Sequence, residues 1–442
     1  MPQPYEQSGT EGAVALLAGL YRAMVEAADP AQLLPLHLPA SHEVPARVIG
    51  AGKAAASMAA ALDQHWQGPL EGFAVAPYGY AMPAGRIVVR EAAHPLPDEA
   101  ALAAGADMLA VARETSRSGG LLICLLSGGA SSLACAPPPG ITLAQKREVV
   151  DALLRSGADI GEINCVRKHL SVLKGGRLAA AAWPTKVLCC AISDVSGDDP
   201  AVIGSGPFTP DPTTRADAHA VLTRYGIRPP EPVSRWLRDP ASESPKPDAS
   251  AFRHVDYRII ATPASALAAA VRCARDSGLD VVDFGADLVG DAEALGRAHA
   301  RFARERHAAG WRGLILSGGE TRVAVRGAGR GGRNTTYLAA LMAELGDASD
   351  VAGFAADTDG IDGSGGAGAF FDGDTRTRAA SLGLSPASFI RTSDTHAFFA
   401  TLGTALPACP TRTNVNDFRA ILVGLNRGPV PVVRSKHARS NQ

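Results

Sequence analysis

The chain has 442 residues, room for two or three domains at about 150 residues each, and 45.5 kDa divided by that length gives a low mean residue mass of about 103 Da. So low a mean reflects abundant Ala and 47 Gly, small residues that favour tight helix–sheet packing and backbone-lined sites. Hydrophobic content of 46% beside 20% charged excludes a largely disordered chain, and 43 basic against 44 acidic residues leave no overall field to recommend a nucleic acid or an anionic membrane as partner.

Met1–Thr10 is polar, with no basic stretch leading into an apolar one, so neither a secretory signal nor a transit peptide is expected and the location reads as cytoplasmic. Apolar runs such as Leu121–Leu126 and Val187–Ile192 fall far short of the roughly 18 to 20 residues that a membrane helix needs. Seven scattered cysteines without a C-x-x-C pair read as reduced core residues.

Short apolar runs ending in Gly, Ser or Asp recur, each followed by helical spacing, a pattern that predicts α/β layers around mostly parallel sheets. Arg47–Ile49 runs into Gly50-Ala-Gly-Lys53, with an Ala-rich helix predicted over Ala54–Gln64. The turn fits the dinucleotide pattern G-x-G-x-x-A, whose glycines let backbone N–H groups approach a phosphate. Yet the next strand, Gly72–Ala76, continues into Pro77-Tyr78 without an acid for a ribose, and Lys53 sits inside the turn. A Walker A loop is excluded by Arg47 at its first Gly position and Ala54 at its Ser/Thr position. Lysine occurs only seven times, so a Lys in a Gly-flanked turn is informative; its compact ammonium suits a moving phosphoryl group or a carboxylate.

Leu121–Leu126 runs into Ser127-Gly128-Gly129, a strand end suited to carboxylate or phosphate oxygens. It is not a nucleophile elbow, because Leu125 stands where G-x-S-x-G needs Gly. Asn164–Arg177 reads as a helix capped by Gly175-Gly176, with Arg167, Lys168, Lys174 and Arg177 as a local basic cluster and His169 as a packed or capping histidine. Lys186–Ile192 ends in Ser193-Asp194, where a carboxylate can bind Mg²⁺ through water or accept a hydroxyl proton. Gly226–Ser250, with six prolines, reads as a linker and places the main boundary near residue 240.

Beyond it, strands at Arg258–Ala261, Gly313–Leu316 and Val351–Ala355 repeat the pattern, and Ser317-Gly318-Gly319 mirrors the first Ser-Gly-Gly strand end. Gly329-Arg-Gly-Gly-Arg333-Asn334 offers a guanidinium at the start of a helix predicted over Thr335–Glu344. Asp357-Thr-Asp359-Gly-Ile-Asp362 is a second acidic loop, departing from EF-hand spacing and compatible with simple Asx turns. Together these are the parts of phosphoryl transfer: a phosphate cradle, Mg²⁺ ligands, a base and charge stabilisers.

At these residues the sequence resembles the type 2 glycerate kinases, whose C-terminal half carries the MOFRL region. The matching blocks run from Val48-Ile-Gly-Ala-Gly-Lys-Ala54 through Leu126-Ser-Gly-Gly-Ala-Ser-Ser132, Asn164–Arg177, Ser193-Asp-Val-Ser-Gly-Asp198, Leu316-Ser-Gly-Gly-Glu-Thr321, Gly331-Gly-Arg-Asn334 and Thr358-Asp-Gly-Ile-Asp-Gly363 to Thr413-Asn-Val-Asn-Asp417. The resemblance implies two α/β domains, 1–240 Rossmann-like and 241–430 containing the MOFRL region, with an active-site cleft between them. It implies ATP- and Mg²⁺-dependent phosphorylation of D-glycerate to 2-phosphoglycerate and leaves a homodimer open. By it Lys53 and Arg333 match the family's essential Lys and Arg, and with the strand-end Asp194 they are expected to be catalytic. Gly50, Gly52, Ser127, Gly128, Gly129, Lys174, Ser317, Gly318, Gly319, Asn334 and Asn416 are expected to bind substrate or nucleotide, and Asp194, Asp357 and Asp359 the metal. Members of the family also carry the name hydroxypyruvate reductase, which makes an NAD(P)H-dependent reductase the alternative activity. A non-catalytic sugar-acid or nucleotide sensor is the alternative class.

Overall fold

The computed structural model describes residues 9–39, 44–346, 348 and 350–424. The chain forms two compact units, one of Pro30–Ile260 and the other of the residues up to Asp29 together with those from Ala261 on.

The first unit is built on a six-stranded sheet of β1 (Ala46–Ala51), β2 (Leu70–Pro77), β3 (Ile87–Ala92), β4 (Leu121–Leu126), β5 (Lys186–Ile192) and β6 (Val255–Ala261), in the order β3-β2-β1-β4-β5-β6. β1 pairs in parallel with both β2 and β4, and β2–β3 and β4–β5 are parallel too. Central parallel strands are covered on both faces, which is why β4 and β5 read as unbroken apolar runs. The chain adds β2 and β3 on one side of β1, then returns to add β4 on the other. That reversal makes the C-terminal ends of β1 and β4 a topological switch point, the position where open α/β sheets receive ligands.

In the second unit β7 (Val281–Asp283), β9 (Gly313–Ser317), β11 (Val351–Asp357), β12 (Gly368–Phe371), β13 (Ala405–Leu406) and β14 (Asp417–Val423) form a sheet ordered β13-β12-β11-β14-β9-β7, while β8 (Gly290–Asp291) pairs with β10 (Thr321–Arg322). Only β7–β9 is parallel in the larger sheet; β14 runs antiparallel to both β9 and β11, and β12 antiparallel to β11 and β13. The expected α/β class holds, but the second sheet is mostly antiparallel. The consequence is local and important. Because β14 enters last and in the opposite sense, its first residues lie level with the last residues of its neighbours, Asp417 opposite Asp357 and Arg419 opposite Ser317.

Two expectations about organisation are corrected. The N-terminal helix Gly9–Glu26 belongs to the second unit, where the Tyr21 ring lies 5.5 Å from that of Phe354 and 6.0 Å from that of Phe418. Gly226–Ser250 is not a linker. It folds into the first unit as the helix Glu231–Arg238, with Pro at its first turn and Val233 and Leu237 buried, so the division falls after Ile260 rather than near 240. Prolines that suggest a linker here start a helix. Five cysteines are buried as expected, Cys273 is half-buried, and Cys409 is exposed; none forms a disulfide.

Candidate functional site

In the first unit the turn after β1 is tied down by its own amides. Gly52 N–H donates to Val75 O (3.0 Å), Lys53 N–H to Gly128 O (2.9 Å), Ala54 N–H to Ser127 Oγ (2.9 Å) and Ala55 N–H to Gly52 O (3.1 Å). Gly52 adopts φ +137°, and a Cβ there would fall 2.0 Å from Ser127 Oγ, so no other residue lets the two strand ends approach so closely. The expectation that Gly50 and Gly52 offer backbone amides to a phosphate is therefore corrected. Gly50 is inside a strand paired on both sides, and every amide from Gly52 to Ala55 is spent within the protein. What this turn presents is the half-buried Lys53 side chain.

Ser127, likewise, is buried and its hydroxyl accepts from Ala54 N–H, just before the helix Ala55–His65. Its neighbours Gly128 and Gly129 differ, since their N–H groups donate to no partner among the described residues. Asp194 lies two residues beyond the end of β5 and is half-buried. The predicted helix Asn164–Arg177 is shorter than expected. It spans Ile160–His169, and Gly175-Gly176 instead start the next helix, Arg177–Ala182. The basic residues there are not a solvated face. Lys168 pairs with Asp211 (3.5 Å), Arg177 donates to Ser242 O (2.6 Å), and Lys174 is buried with Nζ 2.6 Å from Ser131 O and 2.5 Å from Ser131 Oγ. His169 is a packed histidine, fully buried with Nδ1 2.9 Å from Cys165 O.

In the second unit the strand ends gather charge. Arg333 opens the helix Arg333–Glu344 and its guanidinium is held by three carboxylates: Nε at 2.8 and 3.0 Å from the Asp417 oxygens, Nη1 2.8 Å from Glu320 and Nη2 2.6 Å from Asp357. Burial alone would weaken its charge, but Asp417, Asp357 and Glu320 more than offset this and raise its pKa. Asp417 is wholly buried and also accepts from the wholly buried Arg419, which donates to Gly318 O (2.7 Å) and Gly319 O (3.3 Å). Ser317 is buried, so this second Ser-Gly-Gly strand end holds a protein guanidinium and is not an open cradle.

The acidic loop combines both expected readings. Asp357 Oδ1 accepts from Asp359 N–H (3.0 Å) and Asp359 Oδ1 from Ile361 N–H (2.8 Å), which are Asx turns, while Asp357 Oδ2 takes Arg333. Asp362 is committed to capping: it accepts from Asn334 N–H and Thr335 N–H, both at 3.0 Å, and a Cβ on Gly332 would strike its carboxylate at 2.2 Å. Asn334 donates Nδ2–H to Asp417 (2.7 Å), and its buried Oδ1 has no partner among the described residues. Asn416 is buried at φ +65° and its carbonyl accepts from Thr358 N–H (3.0 Å) and Oγ1–H (2.6 Å), which anchors the acidic loop. Beside Arg333 a cavity of about 300 Å³ is lined by Thr321, Gly331, Gly332, Thr336 and Ser364 among others.

The residues that sequence reading missed are Asp417, Arg419 and Glu320. One signal for Arg419 was available: an Arg in the otherwise apolar run Phe418–Val423 has to be paired if it is buried. Among the described residues no three His, Cys, Asp or Glu side chains are grouped as a ready metal site, and no helix is long and apolar enough to cross a membrane.

A switch-point lysine turn in the first unit and an arginine–carboxylate strand end in the second mark an α/β protein with charged groups at the ends of its strands. Comparison with known proteins narrows the class. The MOFRL family profile matches residues 313–417, and a domain of unknown function, DUF4147, matches residues 16–238. A protein of Agrobacterium vitis provisionally named hydroxypyruvate reductase is 43% identical over 417 residues, covering 92% of this chain and 94% of its own. The D-glycerate 2-kinase of Thermotoga maritima is 34% identical over 413 residues, covering 91% and 95%. A crystal structure of the glycerate kinase of Thermotoga maritima matches 93% of this chain and 100% of that one with a TM-score of 0.81 at 32% identity. The chain belongs to the type 2 glycerate kinase family, the MOFRL family.

Proposed function

We propose that this protein transfers the γ-phosphoryl group of ATP to D-glycerate, giving 2-phosphoglycerate. The observation that carries this reading against the reductase is the spent turn after β1. A nicotinamide dinucleotide bound in the usual way needs free amides there for its pyrophosphate and an acid after β2 for its ribose. Here Gly52 to Ala55 have no amide to spare and β2 ends in Pro77. A lysine ammonium is what remains, and it serves phosphoryl transfer by neutralising charge on the moving group.

In this reading Asp194 accepts the proton of the attacking glycerate hydroxyl. Gly128 and Gly129 direct their amides at phosphate oxygens. Arg333 has five N–H groups, of which three are fixed by Asp417, Glu320 and Asp357; the remaining two, one on each terminal nitrogen, are left for ligand oxygens.

The donor set around Asp357 fits a magnesium ion. All its donors are oxygens: Glu320 and Asp417 are held by the guanidiniums and Asp362 by its cap, which leaves the carboxylates of Asp357 and Asp359, and the unpartnered Asn334 Oδ1 adds a neutral oxygen beside Asp417. Mg²⁺ takes only one or two protein carboxylates when phosphates and water complete its shell, and Asp357 and Asp359 are the residues that would hold it. Bound there with the nucleotide, it neutralises phosphate charge during transfer.

The test is paired. Purified protein is incubated with D-glycerate and ATP–Mg²⁺, and separately with hydroxypyruvate and NAD(P)H. ADP and 2-phosphoglycerate are expected in the first and no cofactor oxidation in the second. Cofactor oxidation without ADP formation would replace the kinase by a reductase, and silence in both would leave a sensor.

A further inference from the structure

The first unit holds a set of buried cations that the scheme above does not use. Lys146, from the helix Leu143–Ser156, is 6% exposed and its ammonium has no hydrogen-bond partner among the described residues. Lys174 is 3% exposed and donates only to Ser131, through the backbone oxygen and Oγ. Arg167, from the helix Ile160–His169, donates Nη2–H to the same Ser131 Oγ at 2.6 Å. Among the described residues none of the three forms an ion pair, although the neighbouring Lys168 pairs with Asp211 in the ordinary way.

Arg167 and Lys174 thus converge on one serine just beyond the Ser127-Gly128-Gly129 strand end, and the unpartnered Lys146 ammonium lies near enough to both to repel them. Burying a cation without a counter-charge is costly, and mutual repulsion adds to the cost. The effect is visible in their acidity: burial first, then Arg167 and Lys146, push Lys174 well below the usual lysine range, and burial, opposed by Cys135 and aided by Arg167, lowers Lys146. A fold gains no stability from such a cluster on its own. Folds retain an arrangement of this kind when an anion completes it.

Ser131 is also held from its other side. Its Oγ lies 2.9 Å from Ser205 Oγ, and Ser205 sits at φ +65° between Gly204 and Gly206, both also at positive φ. A non-glycine residue held in the left-handed region costs about 1 kcal/mol or more, so the position of Ser205 is imposed by its surroundings. The two serine hydroxyls, Lys174 and Arg167 form one hydrogen-bonded, donor-rich cluster with Lys146 beside it.

We propose that Arg167 and Lys174 on Ser131, with Lys146 beside them, form an oxyanion-binding site, for a carboxylate or phosphoryl group of a ligand of this enzyme. The site extends the kinase reading by assigning the group that anchors one of its two substrates. D-Glycerate brings a carboxylate and ATP brings phosphates, and the same cradle chemistry serves either.

The experiment is titration calorimetry of the full chain with D-glycerate, with ATP–Mg²⁺ and with inorganic phosphate, in two buffers of different ionisation enthalpy. Wild type is expected to take up a proton when the cradle fills, because the anion restores the ammonium charge. Lys146→Met and Lys174→Met are each expected to weaken one probe at least tenfold and to reduce that proton uptake, while thermal unfolding stays level or moves upward because a buried amine without an acidic partner has gone. Loss confined to D-glycerate assigns the carboxylate; loss confined to ATP and phosphate assigns the nucleotide. Unchanged affinity for all three probes in both variants would overturn the site, as would a lowered melting temperature with unchanged binding, which marks the lysines as structural. Binding lost in the variants while wild type makes no ADP would keep the cradle and remove the kinase.

Discussion

Replacing Lys53 by Ala separates chemistry from folding more cleanly than any other change in this protein. The turn that carries Lys53 is fixed by main-chain bonds that the substitution leaves intact, namely Gly52 N–H to Val75 O, Lys53 N–H to Gly128 O and Ala54 N–H to Ser127 Oγ. The side chain is half-buried at a strand end and contributes no apolar core. Stability should therefore change by no more than about 0.5 kcal/mol, which corresponds to roughly 2 °C in melting temperature. Removing one charge stabiliser from a phosphoryl-transfer transition state costs about 3 to 4 kcal/mol, so kcat/KM should fall by roughly 10² to 10³. A companion change reverses the pattern. Ser127→Ala strips the acceptor from Ala54 N–H and should cost about 1 kcal/mol of stability, while lowering turnover far less than Lys53→Ala does. Steady-state ADP release and thermal unfolding of the same samples are the measurements. A Lys53→Ala protein that is folded and turns over near the wild-type rate would remove Lys53 from the reaction.

Three further outcomes follow from the second unit and its surroundings. Asp417→Asn withdraws the shared counter-charge of Arg333 and the wholly buried Arg419, so it should destabilise by about 3 to 5 kcal/mol, seen as a fall in melting temperature of roughly 6 to 20 °C; an unchanged transition would show that the pair is not what holds β14 in place. Asp359→Asn should raise the Mg²⁺ concentration needed for half-maximal turnover, and an unaltered metal titration would leave the ion to phosphates and water. His299 is held down to about 4 by burial and by Arg419, with its Nδ1 2.8 Å from the Tyr337 hydroxyl. Because its folded pKa lies below the unfolded value of about 6.5, only the unfolded chain takes up a proton as pH falls between the two. Stability should drop by about 3 kcal/mol from pH 7 to pH 4 on this account, and His299→Gln should flatten that part of the denaturation profile.

The sequence by itself determined the α/β class, the strands that carry the site and the chemistry of its turns. These features are local: an apolar run ending in Gly and Ser, followed by helical spacing, needs no partner to be recognised, and a lysine in a Gly-flanked turn is conspicuous in a chain with seven lysines. Tertiary structure alone decided which groups remain available. Gly50 and Gly52 looked like a phosphate cradle until pairing on both sides of β1 and the Ser127 hydroxyl consumed the amides. Arg333 looked like an unattached guanidinium until the antiparallel entry of β14 set Asp417 beside Asp357 and gave it three carboxylates. The Pro-rich segment Gly226–Ser250 looked like a linker until Val233 and Leu237 found a core to enter. In each case the deciding partner lies dozens of residues away in the chain or further, and sheet order and strand direction, which local spacing does not encode, bring it within hydrogen-bond reach.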